Sequence, residues 1–320
     1  MTWFGFLNCY KPPGMTSRDV VNQVQRKLKK VKVGHAGTLD PIAEGVLVLG
    51  VGPATRLMTQ IHAYQKQYIG HFRLGESSPS QDIETEISRP QGLKIPERAE
   101  LDIAARNMIG KIQQTPSAFS AIHINGKRAY ERARSGEKFV MPSREVQIYS
   151  LEVIQYHYPD LVLKVDCGTG TYIRSVGADL ASQLGSCAVM TSLKRTSVGP
   201  FRSEHAIDPN PLQDTELINH LQPATMAVEH LPKIALEQRD IERIYFGQSI
   251  SLDACKLPTG ISADKLNQSE PSEHQAVVTS LEIAAVNQDG NLLALLRPKN
   301  GNWHPFRVFP PSGKIEGKKD

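Results

Sequence analysis

A single carboxylate, Asp40, stands in a glycine-rich segment that runs directly into an apolar stretch of the chain. Residues 34–50 read GHAGTLDPIAEGVLVLG. The glycines allow positive φ angles or close approach to another molecule, and Pro41 biases Asp40 away from helical geometry. A carboxylate on a constrained loop beside a rigid strand is well placed for nucleophilic catalysis. Taken alone, an Asp-Pro pair favours the simpler interpretation of a capped turn.

The segments around Asp40 alternate between strand and helix patterns. The apolar, β-branched run at residues 46–51 predicts a buried strand. Residues 4–10, 67–74, 146–158 and 161–167 are also strand-like, and residues 188–198 include another strand. Helices are predicted over residues 18–29, with Thr16 or Ser17 as the N-cap, and over residues 54–62, 96–111 and 172–184. This order predicts an α+β fold, with a mixed, largely antiparallel sheet flanked by helices.

The pattern changes twice along the chain. Residues 115–144 have few apolar runs and many basic residues, which predicts a surface insertion with a short helix near residues 128–135. Proline-rich and helical stretches alternate over residues 209–232 and predict a domain boundary. We therefore predict a catalytic domain over residues 1–231, a small β-rich domain over 232–313 and a tail over 314–320. The β-rich domain has predicted strands at 283–286, 292–296 and 307–309, and a polar loop at 258–274.

Composition narrows the function classes. The 320 residues carry a formal net charge of only +4, but six basic residues cluster in and after the first predicted helix, which suits contact with a phosphate backbone or a solvated helix face. The four cysteines are far apart, and the ten histidines lack HExxH spacing, so we expect no metal site. The N-terminus lacks a signal-peptide pattern and no apolar run could span a membrane. We expect a cytoplasmic monomer.

The Asp40 segment resembles the catalytic motif of the TruB family of tRNA pseudouridine synthases. The resemblance covers roughly residues 4–205 and rests on five separated blocks in the family order, at residues 11–17, 34–50, 66–82, 116–134 and 170–195. It implies the pseudouridine synthase fold, isomerisation of uridine 55 in the T arm of tRNA, and tRNA as the partner. The C-terminal region is similar in placement and pattern to the PUA-type RNA-binding module.

The resemblance also implies roles for individual residues. It makes Asp40 the nucleophile, Arg174 the arginine that pairs with it, and Tyr68 the aromatic ring packed on the target base. The implied substrate-binding residues are His35, Lys11, Leu193, Asp82, Arg56, Lys127 and Arg134. Two positions depart from the family pattern. Ser77-Ser78-Pro79-Ser80 replaces a Thr-Asp-Thr-like stretch, and His123 stands where a lysine is common.

The reaction itself indicates what the site needs. Converting uridine to pseudouridine breaks the N1–C1′ bond, turns the base and joins C5 to C1′, without redox change or net hydrolysis, so we expect no cofactor. The carboxylate could attack C1′ or C6, or abstract a sugar proton. Three alternatives remain at this stage: a tRNA-binding protein with a vestigial site, a phosphate-binding NTPase, and a glycoside hydrolase with Glu44 as second carboxylate. The glycine-rich loop lacks the Gly-Lys-Ser/Thr ending of a P-loop, which disfavours the NTPase. A glycoside hydrolase needs a second carboxylate, and Glu44 is the only residue that supports that alternative.

Overall fold

The computed structural model describes residues 3–120, 122–124, 126–137, 139–251 and 281–310. The strands are β1 (Gly5–Lys11), β2 (Val33–Ala36), β3 (Ala43–Val51), β4 (Lys66–Leu74), β5 (Gly110–Gln114), β6 (His123–Ile124), β7 (Lys127–Arg128), β8 (Arg144–His157), β9 (Asp160–Cys167), β10 (Ala188–Val198), β11 (Phe201–Arg202), β12 (Lys233–Ala235), β13 (Ile283–Val286), β14 (Leu292–Lys299) and β15 (Asn302–Val308). The helices are α1 (Ser17–Lys27), α2 (Met58–Ala63), α3 (Arg98–Asn107), α4 (Ala129–Arg134), α5 (Ile173–Gln183), α6 (Asp214–Asn219) and α7 (Gln238–Tyr245), with short 3-10 turns at Gly52–Leu57, Ser203–His205 and Ala224–Val228.

The main sheet has nine strands among the described residues. Its order is β1-β3-β10-β4-β9-β8-β5, with β2 paired to β3 and β11 paired to β10. Every described pairing in it is antiparallel except that of β10 with β3, which is parallel. The predicted α+β architecture, with a largely antiparallel sheet flanked by helices, is confirmed.

Local sequence explains α1 and its orientation. Thr16 is the N-cap: its side chain accepts a hydrogen bond from the Asp19 N–H, and the Asp19 carboxylate accepts one from the Thr16 N–H. Val20, Val21 and Val24 recur at helical spacing and are buried against β1 and β3. The predicted helix over residues 18–29 is confirmed with its end at Lys27. Its first turn faces the loop that carries Asp40.

Two elements differ from the prediction. The predicted helix over residues 96–111 ends at Asn107, and the chain continues as β5, because Gly110 has a φ of +113° that no helix can contain. Residues 33–36, which were expected to belong to the glycine-rich loop, form β2 against β3. His35 therefore lies on a strand, and the Asp40 loop proper is only residues 37–42.

The C-terminal strands form a second sheet of order β12-β13-β14-β15, which confirms a small β-rich region. The predicted strand at 307–309 is longer and begins at Asn302. The sheet shares a core with the first one. Ala284, Leu292, Leu295 and Phe309 pack in one cluster with residues of β1, β3, α2 and the neighbouring 3-10 turn. The boundary at residue 231 stays a prediction, and the loop 258–274 and tail 314–320 lie outside the described residues.

Candidate active site

The Asp40 loop joins β2 to β3 and is held by the loop between β1 and α1. The Ser17 hydroxyl accepts a hydrogen bond from Leu39 N at 2.9 Å and lies 3.2 Å from Leu39 O. The Pro41 carbonyl accepts from Gly14 N at 2.8 Å. The backbone on both sides of Asp40 is therefore fixed, while its side chain is 38% exposed. This combination leaves a rigidly placed carboxylate open to a substrate.

Arg174 holds the Asp40 carboxylate from the first turn of α5. Its side chain is 5% exposed, and its Nε lies 3.2 Å from Asp40 Oδ2. Its Nη1 lies 3.0 Å from Asp82 Oδ2 and donates to the Ser80 carbonyl at 2.9 Å. Nη2 donates to the Phe119 carbonyl at 3.4 Å. The guanidinium thus bridges two carboxylates and orients Asp40, the one that is partly exposed to solvent.

Asp82 is buried behind Arg174. Its Oδ1 accepts from the Ser80 hydroxyl at 2.6 Å and from Glu84 N at 2.9 Å. The Ser78 hydroxyl donates to the Asp82 carbonyl at 2.6 Å. The serines that depart from the family pattern therefore surround Asp82. The structure places Asp82 as a partner of Arg174, with no surface of its own for a substrate; its predicted role in substrate binding stays a prediction.

Tyr68 and Leu193 form an apolar wall beside Asp40. Tyr68 lies on β4 and Leu193 on β10, and both pack in the cluster that includes Ala43 and Ile173. Burial raises the pKa of the Tyr68 phenol, and the positive charge of Arg195 opposes part of that rise. The phenol is therefore neutral near pH 7. A neutral ring and a leucine form a surface on which a planar base could stack.

Lys11 and His35 are less open to solvent than a substrate-binding role suggests. Lys11 is fully buried, and its ammonium donates to the carbonyls of Pro12, Met15 and Pro41 at 2.9, 2.6 and 3.3 Å. Burial lowers the pKa of Lys11 to about 8. All three ammonium protons therefore have acceptors, and the bond to Pro41 ties the Asp40 loop to the loop between β1 and α1. For His35, burial and then the charges of Arg18 and Arg195 lower the pKa, so the imidazole is neutral at pH 7.

The remaining three predicted residues lie outside the hydrogen-bond network of Asp40 and Arg174. Lys127 is exposed on β7, and Arg134 is on α4, where its charge reaches Glu84 at the rim of the site. Arg56 donates to the Val308 carbonyl at 2.6 Å, and its guanidinium carbon lies 4.9 Å from the Phe309 ring centroid. Arg56 thus joins the 3-10 turn after β3 to the C-terminal sheet. For these three, substrate binding stays a prediction.

The sequence predicted no role for one residue of the site. Arg195 lies on β10, two residues after Leu193, and is 2% exposed. Its Nε donates to the Val46 carbonyl at 2.8 Å and its Nη2 to the Gly37 carbonyl at 3.0 Å. An arginine at the inward-facing position of an otherwise buried strand was the available signal.

Neither a metal-binding cluster nor a helix that could span a membrane is found in the described part of the chain. No group of three histidine, cysteine, aspartate or glutamate side chains there could hold a metal ion. Nor do the described ranges contain a helix that is both long and apolar enough to cross a bilayer. What the arrangement offers is one oriented, accessible carboxylate beside an apolar wall.

Comparison with known proteins gives a consistent picture. Residues 25–173 match the family model described as TruB family pseudouridylate synthase, N-terminal domain. A tRNA pseudouridine synthase B of Rhodopirellula baltica is 38% identical, over 97% of this chain and 96% of its own length. One of Arthrobacter sp. is 37% identical over 96% of this chain and 97% of its own.

Solved structures add a likeness of fold. A chain of a Cbf5-Nop10-Gar1 complex superimposes with a TM-score of 0.69 at 24% identity, covering 96% of this chain and 84% of that one. A chain of an H/ACA RNP bound to a substrate RNA containing 2′-deoxyuridine gives a TM-score of 0.68 at 23% identity, over 97% of this chain and 86% of that one. At this identity the likeness concerns the fold alone.

Proposed function

Because the chain belongs to the TruB family of pseudouridine synthases, we propose that it converts uridine 55 in the T arm of tRNA to pseudouridine, with Asp40 as the catalytic carboxylate. The observation that carries this proposal is the Asp40–Arg174 ion pair, which presents a partly exposed carboxylate from a fixed loop. A vestigial site would have no need for a buried guanidinium that touches two carboxylates, because burying such charges costs several kcal/mol.

The chain's residues divide the work of the reaction. The target uridine must leave the stack of the T arm, which costs a few kcal/mol. Tyr68 and Leu193 would hold the displaced base, and Asp40 would act on the sugar or the base while Arg174 keeps its carboxylate oriented. No bond to a metal or nucleotide is needed, because the isomerisation involves no net hydrolysis or redox change.

Contacts to the RNA backbone would offset the cost of base flipping. The exposed basic residues of α1 and of the loop that follows it, including Arg18, Arg26 and Lys29, offer one such surface. The insertion around α4, with Lys127 and Arg134, offers a second one close to the rim of the site. We assign the C-terminal sheet as a PUA-like module that adds binding energy without touching the reacting base.

The experiment that tests the proposal uses an unmodified tRNA transcript and chemical mapping of pseudouridine. Wild-type protein should modify uridine 55 in the presence of EDTA and without nucleotide, and a transcript with cytidine at that position should remain unmodified. Asp40→Asn should abolish modification while it still binds tRNA, because the amide keeps the shape and loses the nucleophile. Asp102→Asn, an ion-paired carboxylate on the surface of α3, is the matched control and should behave as wild type.

Three outcomes would contradict the proposal. Modification at a different uridine would refute the assigned position. Residual activity of Asp40→Asn within about tenfold of wild type would refute the catalytic carboxylate, since removal of a group acting in the transition state costs far more. Loss of activity on chelation, restored by one specific divalent ion while the tRNA stays folded, would refute the metal-free mechanism.

A further inference from the structure

Arg195 is a buried cation without a carboxylate partner among the described residues. Its side chain donates two hydrogen bonds to backbone carbonyls, those of Val46 and Gly37, and also interacts with the Tyr68 hydroxyl. Burying an unpaired charge costs several kcal/mol, and an apolar side chain at this position would avoid that cost. Its retention in the middle of the sheet calls for a role that a leucine could not fill.

The two hydrogen bonds connect the strand that follows Asp40 to the start of the loop that carries it. Gly37 begins that loop, and a Cβ added there would lie 3.4 Å from Arg195 Nη1. The later part of the loop is fixed by Ser17, Lys11 and Gly14. The guanidinium of Arg195 fixes the beginning of the loop through the Gly37 carbonyl. Both ends must be held if the Asp40 carboxylate is to stay within reach of a displaced nucleotide.

The charge of Arg195 also acts on the other groups of the site. It lowers the pKa of Lys11, on which burial acts most strongly, and that of the Tyr68 phenol, where it opposes the effect of burial. Tyr68 pairs directly with Arg195 across β4 and β10. Lys11 faces Asp40, Arg195, Asp19 and Glu44. Arg195 therefore lies between Lys11, which holds the Asp40 loop, and Tyr68 of the apolar wall.

We propose that Arg195 is a positioning residue for the reaction. Its hydrogen bonds to two backbone carbonyls fix the start of the Asp40 loop, and its charge acts on Lys11, which anchors that loop, and on Tyr68, which would face the base. The inference rests on the proposed function but is separate from it. Arg195 does not touch the substrate. Its loss should slow the chemical step and leave tRNA binding intact.

The test compares Arg195→Met and Arg195→Lys with Arg202→Met, a matched control at an exposed arginine on β11, the strand next to β10. The single-turnover rate at saturating tRNA should fall about tenfold or more in Arg195→Met, with the dissociation constant for tRNA within about threefold of wild type. The rate should fall less in Arg195→Lys, because the ammonium keeps the positive charge. Some loss should remain, because lysine cannot reproduce the planar, two-carbonyl hydrogen bonding of arginine. Arg202→Met should match wild type.

The pH profile separates positioning through charge from simple structural support. Above pH 8 a neutral Lys11 amine has only two protons for three carbonyls, so the wild-type rate should decline with a midpoint near its pKa of about 8. In Arg195→Met that midpoint should move up by about half a pH unit or more, because a neighbouring positive charge has been removed. In Arg195→Lys the midpoint should remain at the wild-type value, because the positive charge is kept. A merely structural loss would lower the rate without moving the midpoint.

The outcomes are decisive. A folded Arg195→Met with the wild-type rate, or an alkaline midpoint that does not move, would overturn the inference. If Arg195→Met does not fold by circular dichroism, Arg195→Lys carries the rate test, and a wild-type rate in that variant would overturn it. A wild-type protein that forms no pseudouridine contradicts the proposed function instead, so the two failures are distinguishable.

Discussion

Replacing Gly45 with alanine should force β3 and β10 apart beside the Asp40 loop. Gly45 has a φ of +104°, and an added Cβ would lie 3.0 Å from the Arg195 N and C atoms and closer still to its carbonyl oxygen. The obstacle is backbone, so it cannot move aside as a flexible side chain could. The two strands pair in parallel over Ala43–Gly45 and Leu193–Arg195, directly behind the apolar wall.

The cost has two parts. A side chain at positive φ costs about 1–2 kcal/mol. Relieving the overlap requires a separation of about 1 Å, which loosens two or three backbone hydrogen bonds at about 1 kcal/mol each. The free energy of unfolding should therefore fall by about 3–5 kcal/mol in Gly45→Ala. Because Leu193 and the Asp40 loop move with the strands, the single-turnover rate should fall as well.

Gly14→Ala is the matched control. Gly14 has a φ of +84°, lies in the loop that holds Pro41, and has no atom within 4 Å of an added Cβ. The free energy of unfolding of Gly14→Ala should fall only by the cost of a side chain at positive φ, about 1–2 kcal/mol. Urea unfolding followed by circular dichroism measures both variants, and equal slopes would show that the unfolded states are comparable. A Gly45→Ala loss no larger than that of Gly14→Ala would refute the close-approach argument.

Three further predictions concern other parts of the chain. Phe309→Ala should lower the free energy of unfolding of the whole chain by about 3–5 kcal/mol in urea titrations, because the ring is buried against Phe4, with a centroid distance of 5.2 Å; a separate transition of the C-terminal sheet alone would contradict this. Burial raises the pKa of Asp179 to about 6, so its contribution to stability is present below pH 4 and is lost as pH rises through 6. Asp179→Asn should consequently be more stable than wild type at pH 8 by about 1–2 kcal/mol and show no such gain near pH 4. Limited proteolysis should cut near Arg128 or Arg134 in free protein and be suppressed by tRNA, and equal cleavage in both states would argue against ordering of the insertion on RNA.

Local features of the fold could be predicted from the sequence because they depend on neighbouring residues. The N-cap of α1, expected at Thr16 or Ser17 and found at Thr16, and the valine spacing of the helix lie within one short segment, and both are confirmed. The strand predicted within residues 188–198 is confirmed, and β10 occupies that whole range. The hairpin of β8 and β9 could also be predicted, because a short turn joins two strand-like runs that are adjacent in the sequence.

The features that were missed depend on distant residues. β2 is too short to show a period, and it forms because β3 offers an edge beyond the end of β10. The shared core of the two sheets was also not predictable, because a proline-rich stretch marks a boundary without showing what packs across it. The network around Arg174 joins segments far apart in the chain, and only the family resemblance connected two of its members beforehand.

The shared core changes how the C-terminal sheet can be tested. A deletion after residue 231 would remove the sheet and also uncover Phe6, Leu57 and Phe201, which are buried in the same cluster. Exposing three such side chains costs several kcal/mol, comparable with the net stability of a domain. A loss of activity in such a truncation would therefore report unfolding as readily as a loss of RNA contacts. Charge changes at the exposed Lys299 and the partly exposed Arg307, neither of which belongs to the shared core, are the sounder test of whether this sheet adds salt-dependent affinity for tRNA.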